Sequence, residues 1–296
     1  MTTRQPVERR VAGAPISWGV SEVPGWGYQL SADRVLADMR AMGLTATEFG
    51  PEGYLPAEPA RRSGLLASYG LVAAGAFVPV VLHDPAIDPL ADVDRALDAL
   101  AGGRPVLVLA AATGRTGYDV RPEMDAAGWS TLLSNLDRAT DRAAERGLVA
   151  TLHPHVGTMV EKPDEVRRVL DGSAIPLCLD TGHLLIGGTD PAGLARDAAA
   201  RIGHVHLKDV TASVAQQVAS GEISYTEGVA GGLYRPLGRG DVDLAGVVAA
   251  LEGVGYRGWY VLEQDTILDG PPTGEGPAGA VRESLSYLRR LLGGQR

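Results

Sequence analysis

Short apolar runs alternate with amphipathic stretches along the whole chain. Runs at residues 11–18, 44–49, 71–82, 105–110, 148–153, 175–180, 202–207 and 259–263 are bounded by turn residues, as buried parallel strands are. The stretches between them carry helical spacing. Ser31 caps a helix in which Val35, Met39 and Met42 share a face, and Gly43 ends it. Helices are also predicted around 56–69, 92–100 and 163–170. Leu132, Leu136, Ala139 and Ala143 stripe a long helix over 125–146 that Gly147 stops. Asp190 caps another, with Pro191 in its first turn. Leu244, Val247, Val248 and Leu251 mark the next, and Val281, Leu285, Leu288 and Leu292 the last. One connection breaks the rhythm. Residues 210–240 are rich in Gly, Ser and Tyr and read as a lid-like loop, since unstructured loops beyond about 15 residues are usually functional.

Eight strand-then-helix units without a composition break imply parallel strands joined by crossover helices. In 296 residues they fit an α/β fold of one (β/α)8 TIM barrel. The chain then forms a single domain over 1–296, with a flexible N-terminus about residues 1–10. A doubly wound open sheet is the rival, weakened because no Gly-x-Gly-x-x-Gly turn follows the first strand.

Composition narrows the setting. A hydrophobic content of 45% supports a full core, and a net charge of -9 with a pI near 5.2 argues against nucleic-acid or anionic-membrane partners. Cys178, the one cysteine, lies in an apolar run, so no intrachain disulfide forms and a reducing cytoplasm is expected. The first residues lack the apolar core of a signal peptide, and no apolar run reaches membrane-spanning length.

The chemistry sits at the strand ends. The fifth run ends in His153 and His155, the sixth in Asp180 with His183 three residues on, the seventh in His204, His206 and Lys208, and the eighth in Glu263. Strand alternation puts His153 with His155 on one face, and His204 with His206 and Lys208 on another. In a barrel these ends converge, so His153, Asp180, His206 and Glu263 can meet around one point. Two carboxylates and two neutral imidazoles balance a divalent cation, and imidazole favours Mn, Co, Fe, Ni or Zn over Mg or Ca. Spacing does not choose between His153 and His155, or between His204 and His206. Glu48 shares a strand face with Leu44 and Ala46, at the barrel mouth if that face points inward. Trp18 and Trp26 flank a Gly-rich loop that either walls a pocket or plugs the barrel end.

The runs Ala14-Pro-Ile-Ser-Trp-Gly19, Thr47-Glu-Phe-Gly-Pro51, His153-Pro-His-Val-Gly-Thr158, Leu179-Asp-Thr-Gly-His183, Gly203-His-Val-His-Leu-Lys-Asp209 and Glu263-Gln-Asp265 resemble the xylose-isomerase-like barrel superfamily of sugar isomerases and epimerases. Within it they look most like the inosose (2-keto-myo-inositol) dehydratases. The resemblance implies a metal, with Mn or Co expected ahead of Zn, Fe or Mg. Its ligands would be His153, where the superfamily usually carries Glu, with Asp180, His206 and Glu263. It also implies a small polyol or sugar as partner. Self-association of the chain into a homo-oligomer stays open. The loop over 21–27 departs from the dehydratase pattern, and 225–239 has no match.

The superfamily's shared step is removal of a proton next to a carbonyl. Loss of a β-hydroxyl then makes a dehydratase; reprotonation makes a sugar or sugar-phosphate isomerase or epimerase. Lys208, His183 and Glu48 are the candidates for proton transfer. Trp18, Trp26, His155, His204 and Arg239 are candidates for holding substrate, Arg239 with Arg235 as a phosphate site. A sugar-binding barrel without catalysis is the remaining alternative, and an endonuclease-like member is disfavoured by the acidic charge.

Overall fold

The computed structural model describes residues 10–293. Of the N-terminal tail expected to be flexible, residues 1–9 lie outside this range. Arg10 is buried and paired with Glu252 at 2.8 Å, so it does not belong to a loose tail.

Among the described residues, the strands β1 (Val11–Gly13), β2 (Ala46–Glu48), β3 (Val72–Val80), β4 (Val106–Ala111), β5 (Val149–Leu152), β6 (Leu177–Asp180), β7 (Ile202–Leu207) and β10 (Tyr260–Leu262) close into a parallel barrel. Strands β8 (Asp209–Val210) and β9 (Tyr234–Arg235) pair antiparallel outside it. Helices α1 (Ala32–Ala41), α2 (Pro59–Ser68), α3 (Leu90–Ala99), α4 (Ala126–Glu145), α5 (Pro163–Gly172), α6 (Thr181–Ile186) and α7 (Pro191–Asp197) alternate with the strands. Helices α8 (Ala212–Ala219), α9 (Tyr225–Ala230), α10 (Leu244–Gly253) and α11 (Ala278–Gly293) complete the order. This is the (β/α)8 barrel expected from the alternation. No described helix is long and apolar enough to cross a membrane.

Side-chain periodicity explains the packing. The α4 stripe Leu132, Leu136, Ala139 and Ala143 is fully buried, as is Leu288 of α11, and both helices join one core with the outward faces of the strands. The first strand is shorter than the run over 11–18. Pro15 has no N–H for a ladder, and Pro15–Trp18 winds into a 3-10 turn closed by Gly19 at φ 82°. A β-carbon on Gly19 would also meet Leu268 Cγ at 2.8 Å.

Residues 210–240 are folded, not an open loop. The β8–β9 pair carries α8 and α9 between its strands. Tyr225, Val229, Leu233 and Tyr234 pack with Trp26, Val156 and Ile186 in a second apolar cluster over the barrel mouth. Asp209 anchors the base of this segment. Its Oδ1 accepts from the Val210 and Val242 amides at 3.1 Å each, and its Oδ2 from Gly238 and Gly240 at 2.8 and 2.9 Å.

Candidate metal centre and active site

Barrel register brings the chemical residues side by side. Asp180 of β6 lies opposite His206 of β7, and His206 lies opposite Val261 of β10, two residues before Glu263. His153 follows β5 directly. Asp180 Oδ2 stands 3.3 Å from His153 Nε2 and 3.6 Å from His206 Nδ1, and His206 Nδ1 stands 3.2 Å from Glu263 Oε2. All four residues are buried.

These atoms fit a shared cation. Two ligand atoms bound at about 2.1 Å to one ion stand roughly 3.0–3.4 Å apart, close to the separations seen. Asp180 Oδ2 and His206 Nδ1 are buried and find no hydrogen-bond partner among the described residues. Burying such groups is costly unless something binds them. The charges agree: Glu48, Asp180, Glu263 and Asp265 are four buried carboxylates, and Lys208 is the one ammonium among them. The same surplus raises His206 well above the ordinary histidine range. Its burial opposes this, but the neighbouring charges, Glu263 and Glu48 among them, outweigh it. Cys178 also approaches His153 and His206, but burial pushes its thiol up to about 11, so it is a neutral and poor donor.

Local hydrogen bonds aim three of the four candidate ligands. Asp180 Oδ1 caps α6, accepting from the Gly182 and His183 amides at 2.8 Å each, which leaves Oδ2 for the centre. His153 Nδ1 donates to Pro154 O at 2.9 Å, so Nε2 carries the lone pair that faces Asp180. His206 Nε2 donates to Glu48 Oε1 at 3.0 Å, which aims Nδ1 at the centre, where a bound cation would take the place of its proton. Glu48 Oε1 also accepts from His204 Nε2 at 2.8 Å. Gly75 makes room for that pair, since a β-carbon there would lie 3.0 Å from Glu48 Oε1 and 3.4 Å from His204 Nε2.

Above the centre lies a cavity of about 690 Å³, a size suited to a small molecule. His153, His155, His206, Lys208, Glu263, Asp265, Glu48, Trp26, Tyr118 and Tyr225 face it. Lys208 Nζ contacts Asp265 Oδ1, lies 3.0 Å from Glu263 Oε2 and 3.3 Å from His183 Nε2. Burial alone would lower Lys208, but Asp265, Glu263 and Asp180 hold it well above its usual value, so it stays an ammonium. His155 and His183 stack with ring centroids 3.6 Å apart. Burial, their mutual proximity to other imidazoles, and Lys208 keep both well below the histidine range and therefore neutral. His155 Nδ1 donates to Val156 O at 2.7 Å, so its Nε2 is a free acceptor.

Not every expected residue reaches the cavity. Trp18 is fully buried in the core, its Nε1 donating to Asp38 at 3.2 Å. It is a packing residue because the 3-10 turn after β1 rotates it inward toward α1. Trp26 is the tryptophan that lines the mouth, held by a 2.9 Å bond from its Nε1 to Thr266 O. His204 is sealed behind Glu48, away from the lining. His183 sits behind His155. Arg239 is exposed and paired with Glu283 of α11, and Arg235 is also exposed, so neither offers a phosphate grip in the cavity. Tyr118 and Tyr225 also line the cavity without a site signal in the sequence, and Asp265, known there only as the end of the Glu263-Gln-Asp265 run, joins them. A Ser-x-x-Glu signal at Ser224 and Glu227 marks the helix start that delivers Tyr225.

Residues 36–291 match the xylose isomerase-like TIM barrel family, and the chain belongs to that family. It is an enzyme of this sugar isomerase and epimerase superfamily, and its curated relatives narrow the position. The chain is 31% identical over 299 residues to an inosose dehydratase of Geobacillus kaustophilus (strain HTA426), the match covering 96% of this chain and 94% of that protein. It is also 31% identical over 268 residues to the rhizopine catabolism protein MocC of Rhizobium meliloti, covering 86% and 81%. Among solved structures, an L-ribulose 3-epimerase shares the fold with a TM-score of 0.69 at 17% identity, covering 96% of this chain and 95% of that one.

Proposed function

We propose that this chain is a metal-dependent hydro-lyase that removes water from a polyhydroxy ketone of the inosose type. The observation that carries this reading is the convergence of His153, Asp180, His206 and Glu263 at the floor of a cavity, with a lysine ammonium 3.0 Å from Glu263. The likeness to inosose dehydratases over nearly the whole chain supports the substrate class. A divalent cation held by those four residues, Mn or Co with Zn, Fe or Mg as alternatives, would polarise the ketone oxygen and acidify the neighbouring C–H bond.

The chain's own groups supply the proton transfers. His155 Nε2 is neutral, free and directed at the cavity, and it takes the α-proton. Lys208 gives a proton to the departing β-hydroxyl. The C–H and C–O bonds break, a C=C bond forms beside the ketone, and one water leaves. His183 braces the His155 ring. Glu48 fixes the tautomer of His206 and is not itself a proton carrier. Trp26 and Tyr118 wall the cavity. A cytoplasmic setting with a free cyclic polyol ketone as partner belongs to the same reading.

Mass spectrometry of the product tests it. Metal-loaded enzyme incubated with inosose is expected to give a product lighter by one water. A product of unchanged mass, inverted beside the ketone, would make the protein an epimerase instead.

A further inference from the structure

The segment between β7 and α10 does more than cover the barrel mouth. Two of its tyrosines reach the buried ion-pair cluster. Tyr225 Oη donates to Asp265 Oδ2 at 2.5 Å and lies 2.9 Å from Tyr234 Oη. Asp265 Oδ1 is bound by Lys208 Nζ. The Tyr234 ring also lies beneath the same ammonium, 5.2 Å from its centroid, within cation–π range. Lys208 is therefore held by the two tyrosines along two routes, one through the Tyr234 ring and one through Asp265.

The geometry is fixed at both ends. Ser224 and Glu227 form a capping box that sets the start of α9, and the Tyr225 amide donates to Asp119 Oδ1 in the loop after β4 at 2.8 Å. Gly182 leaves the space the cluster needs, since a β-carbon there would meet Lys208 Cβ at 2.7 Å and Tyr234 Cε1 at 3.0 Å. Tyr225 and Tyr234 are both buried.

We propose that Tyr225 and Tyr234 are positioning residues for Lys208, Tyr225 acting through Asp265 and Tyr234 through its ring, so that the segment over 209–240 completes the active site. The proposal rests on the reading of Lys208 as the proton donor in the dehydration. A buried carboxylate with no donor but lysine would draw the ammonium wholly to itself. The Tyr225 hydroxyl occupies the second oxygen of Asp265 and shares its charge. The ammonium then keeps its contact with Glu263 and its place at the cavity wall, where a departing hydroxyl would sit.

The chain contains two lysines, Lys208 and the exposed Lys162. Labelling lysine Cε with carbon-13 in the full chain loaded with diamagnetic Zn or Mg therefore gives two NMR signals, one of them an internal reference. In Tyr225→Phe the Lys208 signal is expected to move while the Lys162 signal stays. The same variant is expected to lose about 10–100-fold in kcat, with KM within about threefold and metal content unchanged. Tyr234→Phe is expected to move the signal less, and it decides the matter if Tyr225→Phe does not fold. A Lys208 signal at its wild-type position in the folded variants overturns the proposal, whatever happens to kcat. A wild-type protein that turns over no polyhydroxy ketone would defeat the functional reading alone, and the signal comparison would still judge the positioning.

Discussion

Asp180 and His153 meet at 3.3 Å through Oδ2 and Nε2, the atoms that their local hydrogen bonds leave over. Asp180 spends Oδ1 on the first turn of α6, and His153 spends Nδ1 on its neighbouring carbonyl. The two residues are each fixed by one atom and present the other to the same point. That division of labour would let a structural cap and a metal ligand be one residue.

Glu48 is the outer partner of this centre. It receives both His204 and His206 on one oxygen. Removing such a partner typically weakens metal affinity by about 10–100-fold. Glu48→Ala is expected to lose metal in that range by competition with a chelator while its far-UV circular dichroism stays native. Affinity equal to wild type would place Glu48 outside the metal's support.

Gly157 controls the wall over His155. It holds φ 73°, and a β-carbon there would lie 2.1 Å from Tyr118 O. The close crossing seats the Tyr118 ring 4.7 Å from the His155 ring. Gly157→Ala is therefore expected to cost about 1–3 kcal/mol of unfolding free energy and to lower turnover as Tyr118 shifts. Denaturant unfolding checks the first effect, and a midpoint at the wild-type value would contradict it.

Much of this was legible beforehand, for physical reasons. Buried parallel strands are short apolar runs, so the barrel follows from periodicity, and a residue at a strand's C-terminal end must reach the catalytic face. That logic located His153, Asp180, His206 and Glu263. It could not separate neighbours on one face. His204 and His206 share an inward face of β7, but one lies a layer deeper and is covered by Glu48. His153 and His155 share the face beyond β5, but it is His153 that meets Asp180, while His155 stacks on His183. Tyr225 was hidden because α9 spans six residues, too short for a periodic signal, and because its partners are remote in sequence. Trp18 was misplaced because Pro15 ends the strand early and turns the chain.

Arg239 is remote from the cavity and bound to Glu283 on the surface. Arg239→Ala is expected to leave kcat and KM for an unphosphorylated ketone within about twofold, since surface ion pairs contribute little. A large rise in KM for a phosphorylated substrate, with turnover of that substrate by the wild type, would restore the sugar-phosphate reading.

The shared metal centre is tested most directly by elemental analysis of protein purified without chelator. We expect about one divalent ion per chain in the wild type, consistent with a four-ligand site, and loss of most of it in both Asp180→Ala and Glu263→Ala with the fold retained. Full metal retention in both variants would contradict the centre.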